Sequence, residues 1–225
     1  MTDFIFQHTL FSLIALAFLA DLILGDPHSC LHPVALFGRT AAVVENFCRK
    51  YLGNTIFSGF CACSLLCFSA CFLTALFCLL GKRLAGSWGE LVCAALCVYI
   101  TIAPRSLIEH VNRIRQQLKS GNLPEAQHAL SMIVSRKTDN LPEEQIVRGA
   151  IESLGENLID GVYSAFFWAI AGFMLSGGSL LWAAVSAVFL RAINTLDACW
   201  GYKDEKYLFF GRTAARTDDL LHWIP

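Results

Sequence analysis

Twenty-five consecutive residues, Ile56 to Leu80, carry no charged side chain. As a helix this run extends about 37 Å, enough to cross the ~30 Å hydrocarbon core of a bilayer. The rest of the composition agrees with that constraint. Hydrophobic residues make up 56% of the 225 and charged residues 16%, and the mean hydropathy is +0.54, so the chain is too apolar for an ordinary soluble domain. The net charge is -1, and Lys and Arg are spread among segments rather than run together, which excludes a polyanion-binding signature; no nucleic-acid partner is expected.

Three further apolar segments join this run. Residues 9–24 are interrupted only by Asp21 and read as a retained first span: no Lys or Arg precedes them, and no small-residue cleavage pattern follows before Gly25-Asp26-Pro27. Asp21 is expected to face protein or the interface. Gly81-Lys82-Arg83 reads as a turn leading into a shorter apolar run within 88–103, which makes a helical hairpin with 56–80. The fourth segment, 162–190, is broken by Ser176-Gly177-Gly178-Ser179, leaving halves that are each short for a full crossing.

Positive charge orients these segments. Arg39, Arg49 and Lys50 lie in the loop 25–55, seven basic residues from Arg105 to Arg148 lie in a polar section, and Arg191, Lys203, Lys206, Arg212 and Arg216 lie in the tail. Positive-inside bias places all three on the cytoplasmic side. That favours a re-entrant or hairpin-like fourth segment turning at Gly177-Gly178; a straight span with the tail outside is the alternative. In the polar section Gly121 reads as a helix stop, and Pro124 and Pro142 sit where a first helical turn accepts proline. The fold class is therefore all-α: a multi-pass helical integral membrane protein forming one membrane-embedded domain, with a helical cytoplasmic insert over 105–160 and a charged, motif-rich tail over 191–225.

Six of the ten cysteines (Cys61, Cys63, Cys67, Cys71, Cys78, Cys93) lie in or beside apolar runs, where they act as small hydrophobes. Cys63, Cys67 and Cys71 form an i, i+4 stripe, yet no His or carboxylate lies in that run to complete a soft-metal site.

The polar motifs fall into groups. Gly25-Asp26-Pro27 precedes His32-Pro33, and Arg105-Ser106-Leu107 precedes His110. Glu152-Ser153-Leu154-Gly155-Glu156-Asn157 leads to Asp160-Gly161. On a helix continuing from Pro142, Arg148, Glu152, Glu156 and Asp160 make one charged stripe, which suits Mg²⁺ bound together with substrate phosphates; a solvated stripe stabilised by Arg148 is the other reading. Arg191, Asn194 and Asp197 share a helical face where apolar chain turns polar, a depth at which charge is functional by default, with interfacial anchoring as the alternative. In the tail, Lys203, Arg212 and Arg216 are candidate phosphate or carboxylate contacts and Asp218-Asp219 a candidate metal pair, against a solvated juxtamembrane face. His32 and His110 are each either a general base or a hydrogen-bonded structural residue. No GxxxxGK[ST] loop, strand-linked GxGxxG or GxSxG elbow occurs, so a nucleotide would have to be bound in another way.

Taken in order, these motifs resemble the CobD/CbiB family, the adenosylcobinamide-phosphate synthases of cobalamin biosynthesis, over nearly the whole chain. The carriers are Asp21-Leu22-Ile23-Leu24-Gly25-Asp26-Pro27, His32-Pro33-Val34, Gly38, Arg105-Ser106-Leu107 with His110, and the stretch Glu152 to Gly161. In the tail they are Asn194-Thr195-Leu196-Asp197, Gly201-Tyr202-Lys203, Phe210-Gly211-Arg212, Ala215-Arg216-Thr217-Asp218-Asp219 and Trp223-Ile224-Pro225. Two positions depart from the family pattern: Ser135-Arg136-Lys137-Thr138 lacks the usual acidic residue, and Gly155-Glu156-Asn157 replaces the frequent Ala-Glu-Asn. The family's further apolar chain beyond Ile224-Pro225 is not in this sequence.

The resemblance implies a multi-pass enzyme of the cell inner membrane, with its motif-bearing loops facing the cytoplasm. It would join a carboxylate of adenosylcobyric acid to aminopropanol or aminopropanol phosphate, using ATP and Mg²⁺, in possible association with other corrinoid-pathway membrane enzymes. Carried over residue by residue, it implies Glu152, Glu156, Asn157 and Asp197 as catalytic residues. Asp26, His32, Arg105, Asn194, Lys203, Arg212 and Arg216 become substrate or phosphate contacts, and Glu156, Asp160, Asp218 and Asp219 metal ligands. A carboxylate is a poor acyl donor, so activation as an acyl phosphate would precede attack by the amine. A corrinoid-binding transporter and an inactive regulatory relative are the competing classes, the first suggested by Asp21 and the Gly-broken fourth segment.

Overall fold

A computed structural model describes residues 2–25, 32–134 and 136–224. They form α1 (Thr2–Leu24), α2 (Pro33–Leu52), α3 (Ile56–Tyr99), α4 (Pro104–Lys119), α5 (Leu123–Ser131), α6 (Glu143–Leu158), α7 (Ser164–Leu175), α8 (Leu180–Trp200) and α9 (Arg212–His222). A π turn, Ile159–Tyr163, joins α6 to α7 without a break, and no strand occurs among the described residues. Three helical segments are long and apolar enough to cross a membrane: one starting at Ile56, the continuous Glu143–Leu175, and Leu180–Trp200; His8–Leu24 is a shorter apolar helix.

The hairpin expected from 56–103 forms, with its turn displaced from Gly81-Lys82-Arg83 to Ala85-Gly86, where Gly86 takes a φ of 61°. The reason is how closely the two arms approach. A Cβ on Gly81 would stand 2.6 Å from the Gly89 carbonyl oxygen, and one on Gly89 2.1 Å from that of Gly81. Gly81 is therefore needed inside the arm as a contact point, and Lys82 stays helical to meet Glu90 at 2.8 Å across the hairpin.

The 162–190 segment also folds back on itself. α7 ends in Gly177 and Gly178, both at positive φ (72° and 101°), and the Ser179 hydroxyl caps α8 by accepting from the Trp182 amide. Its arms are longer than the apolar halves. The first continues back through the π turn into α6, and the second runs past Arg191 to Trp200, so Arg191, Asn194 and Asp197 are helical residues and the polar tail begins inside α8.

Packing divides into three clusters. At the turn end of the bundle, Leu13, Ala17, Cys78, Val98, Phe173 and Ala184 are buried together. Nearer α2 and α9, Ala62, Cys63, Leu66, Cys67, Leu196, Trp200 and Phe210 form a second core, in which Cys63 and Cys67 pack as free thiols. In the insert, Ile114, Ala126, Leu130 and Ile146 from α4, α5 and α6 make a small core of their own, and the helix stop at Gly121 and starts at Pro124 and Pro142 fall as the sequence predicts.

Two glycines close the second core. A Cβ on Gly59 of α3 would lie 1.8 Å from the Phe210 carbonyl oxygen, and one on Gly211 1.7 Å from that of Trp200. Trp200 and Phe210 meet edge to face at 5.0 Å. Arg49 of α2 lies 4.3 Å over the Phe210 ring while its Nε donates to the buried Glu45 at 2.8 Å. Gly59→Ala is therefore expected to cost about 1–3 kcal/mol through forced separation of α3 from the 201–211 loop. Gly38→Ala, where a Cβ meets nothing within 4 Å, should be neutral or stabilising. Melting temperatures of the two variants in detergent check this; equal values would refute the close-approach account.

Candidate functional site

The π turn separates two polar environments. Its widened hydrogen bond, from the Ser164 amide back to the Ile159 carbonyl, changes the angular spacing of side chains along an otherwise α-helical rod. Asn157, Gly161 and Val162 line a cavity of about 430 Å³ together with Ser106 and His110 of α4 and Arg191 of α8. Asp160 instead meets α9, with Oδ1 4.0 Å from Nε2 of His222.

The cavity carries a spare set of polar groups. Asn157 donates from Nδ2 to the Ser153 carbonyl (2.8 Å) and hydroxyl (3.1 Å), and Ser153 donates to the Ile133 carbonyl at 2.8 Å. This pins the amide and leaves its oxygen available to a ligand. His110 Nδ1 lies 2.7 Å from the Ser106 carbonyl of its own helix. Arg191 also lines a second, mostly apolar cavity of about 380 Å³ between α2, α3 and α8, in which Thr40, Ser69, Thr74, Thr101 and Thr195 are the hydroxyl groups. Arg191 therefore borders both spaces.

The α9 cluster is acidic around a histidine. His222 Nδ1 is 3.3 Å from Asp218 Oδ2, and the other Asp218 oxygen is buried without a hydrogen-bond partner. Trp168 donates to the Leu221 carbonyl at 3.0 Å, holding the end of α9 on α7. Asp218, chiefly by hydrogen bond and charge, with Asp160 adding charge, lifts the His222 pKa from its ordinary 6.5 to about 9 against the opposing cost of burial. Asp197, at the end of α8, feels the charges of Asp218, Asp219 and His222, and Glu156 adds to the field at Asp160.

The remaining expected site residues are placed as follows. Glu152 is exposed and pairs with Arg148 at 2.8 Å and Arg136 at 3.2 Å, so the charged stripe splits at the π turn: Glu152 joins the insert's arginines and Asp160 joins α9. Arg105 spans the joint between α1 and α4. Its Nη1 donates to the Leu22 (3.1 Å) and Ile23 (2.8 Å) carbonyls and its Nε to Glu109, while its backbone amide is capped by the fully buried Asp21 at 2.8 Å. These bonds satisfy orphan groups at two helix ends. His32 caps α2 by accepting from the Val34 amide at 3.3 Å. Asn194 lies on α8, half-buried; Glu156, Lys203, Arg212, Arg216 and Asp219 are exposed, with Lys203 in the loop before α9. Asp26 lies outside the described residues.

Among the described residues no group of three His, Cys, Asp or Glu is arranged to hold a metal ion. Asp160 and the unpartnered Asp218 oxygen nevertheless fit magnesium in its usual mode, one or two carboxylates completed by substrate phosphates and water. His222 and the position of Arg191 between two cavities were missed by sequence reasoning. The i, i+4 step from Asp218 to His222 was the available signal for the first.

A raised histidine pKa contributes stability that is complete below the unfolded value and lost as pH rises through the folded one. In magnesium-free detergent, the melting-temperature gap between the wild type and His222→Gln should be widest at or below pH 6.5 and close as pH passes about 9. A gap constant with pH would contradict the His222 ion pairs.

Comparison with known proteins gives the family. Residues 14–225 match the CobD/Cbib protein family. The chain is 39% identical over 215 residues to the cobalamin biosynthesis protein CobD of Leptospira interrogans, covering 94% of this chain and 64% of that one. For Desulfotalea psychrophila the identity is 36% over 220 residues, 94% and 66% of the two chains; for Geobacter metallireducens it is 38% over 212, 93% and 62%. The chain thus spans just under two thirds of the length of these relatives. No solved structure matches. Matched to that family from residue 14 to residue 225, the chain belongs to the CobD/Cbib family of cobalamin biosynthesis proteins.

Proposed function

We propose that the chain carries the reaction centre of an ATP- and Mg²⁺-dependent amide-forming enzyme of cobalamin biosynthesis, embedded in the cell inner membrane with the insert and α9 on the cytoplasmic side. The substrates are adenosylcobyric acid and aminopropanol or its phosphate. The observation that carries this reading is the adjacency, across one π turn, of a cavity bordered by Arg191 and an acidic cluster with an unpartnered buried carboxylate oxygen. Amide formation from a carboxylate needs both: a cation to hold the anionic acyl donor, and an acidic site for the metal of the nucleotide.

Magnesium held by Asp160 and Asp218 with the nucleotide phosphates would neutralise charge on the transferring phosphoryl group. Arg191 orients the substrate anion, and Asn157, pinned through Ser153, contributes a hydrogen-bond acceptor beside it. A corrin ring with its side chains is far larger than 430 Å³, so only the reacting carboxylate arm and the small amine enter. Arg212, Arg216 and Lys203, exposed on and before α9, offer cations to the nucleotide phosphates.

The test is an assay of the full chain in lipid nanodiscs with adenosylcobyric acid, aminopropanol phosphate, ATP and Mg²⁺, read by mass spectrometry of the corrinoid. A mass gain matching the amide is expected, reduced on the order of 100-fold in folded Asp160→Asn and Asp218→Asn proteins. No product, beside a longer relative that works in the same assay, would overturn the reading; corrinoid uptake into vesicles without nucleotide turnover would favour a carrier instead.

A further inference from the structure

The 430 Å³ cavity contains two side chains whose chemistry differs from that of the neutral groups around them: Arg191 and His110. Arg191 is always a cation. His110 is placed to be something else. Its Nδ1 lies 2.7 Å from the carbonyl oxygen of Ser106, one turn back on α4. A carbonyl can only accept, so that nitrogen must carry the ring's proton. In the neutral imidazole the lone pair is then on Nε2. The helix thus fixes the tautomer of the neutral ring, with Nε2 as the nitrogen that can accept a proton.

Resting on the reading of the site as an amide synthase, we propose that His110 is the proton acceptor for the amine substrate. An alkylamine reaches the site as an ammonium ion, which has no lone pair with which to attack. One proton passes from the ammonium nitrogen to Nε2 of His110. The freed lone pair forms the new C–N bond at the acyl phosphate carbon, and the C–O bond to phosphate breaks with its electron pair going to the departing oxygen. The second nitrogen proton leaves with the released phosphate. Arg191, lining the same cavity, holds the anionic partner while this proceeds. No other side chain lining this cavity among the described residues offers a base for the first step: the rest are Ser106, Asn157, glycine and apolar groups.

The test uses a nucleophile that needs no base. Hydroxylamine is uncharged at neutral pH and captures acyl phosphates as hydroxamates. The variant is His110→Asn, whose side-chain amide can still donate to the Ser106 carbonyl from the position of Nδ1 but supplies no base. With the full chain, adenosylcobyric acid, ATP and Mg²⁺, hydroxamate formation by His110→Asn should stay within about 3-fold of the wild type, while amide formation with aminopropanol phosphate falls on the order of 100-fold. In His110→Ala, added imidazole should restore part of the amide rate. An equal loss of both products, or of neither, would overturn the proton-acceptor role and leave the synthase reading standing. Absence of both products from the wild type would overturn the synthase reading itself, and this inference with it.

Discussion

The site depends on α8 lying close against α3. In lipid, helices gain little from hiding apolar surface from one another, so small residues that let backbones approach, and complete hydrogen bonding, carry the association. Ala183, Ala184 and Ala187 on α8 are fully buried, as are Ala62 and Ala94 on α3, and Gly59 receives the Phe210 carbonyl where a side chain could not fit. One turn beyond Ala187 stands Arg191, flanked by the buried Leu190 and Ala192. Tight packing on either side fixes the backbone that bears Arg191, and the residue borders two cavities.

The π turn is the second determinant. Along this helix Glu152 pairs with Arg148 and Arg136, whereas Asp160, two turns further on and inside the π turn, faces His222 of α9. Asn157 and Gly161 stay on the cavity lined by His110 and Arg191. One helix therefore borders an acidic cluster on one side and a cavity holding His110 and Arg191 on the other, which the proposed function assigns to metal with phosphate and to the substrate anion with the amine. The joint between α1 and α4, with Asp21 capping Arg105 and Arg105 capping Leu22 and Ile23, holds α4 and therefore His110 at the correct height.

Much of this was legible in the sequence. The helical class, the apolar segments, the hairpin break at Gly177-Gly178 and the helix starts at Pro124 and Pro142 follow from hydropathy and from backbone chemistry that acts within a few residues. What could not be read depends on contacts between distant segments. The turn moved from Lys82 to Gly86 because Gly81 is needed against Gly89 eight residues on. The boundary drawn at Arg191 fell inside α8 because helices here continue beyond their apolar cores. The role of Arg105 at a helix end could not be read because it requires knowing that α1 finishes beside it. His222 had a local signal in Asp218 one turn before it, but its second acidic neighbour, Asp160, lies sixty-two positions away in the chain.

Arg191 as anchor of the reacting anion is the claim on which the account turns, and equilibrium binding measures it without requiring turnover. Adenosylcobyric acid, which carries the reacting carboxylate, would be titrated, by calorimetry in lipid nanodiscs, into the wild-type chain and into Arg191→Met, a variant of similar length without charge. The account predicts binding weakened on the order of 10- to 100-fold in the variant, the loss of one charge-assisted contact, with the melting temperature preserved. Equal affinity in the two proteins would contradict it and would move the anion site to the exposed cations of α9.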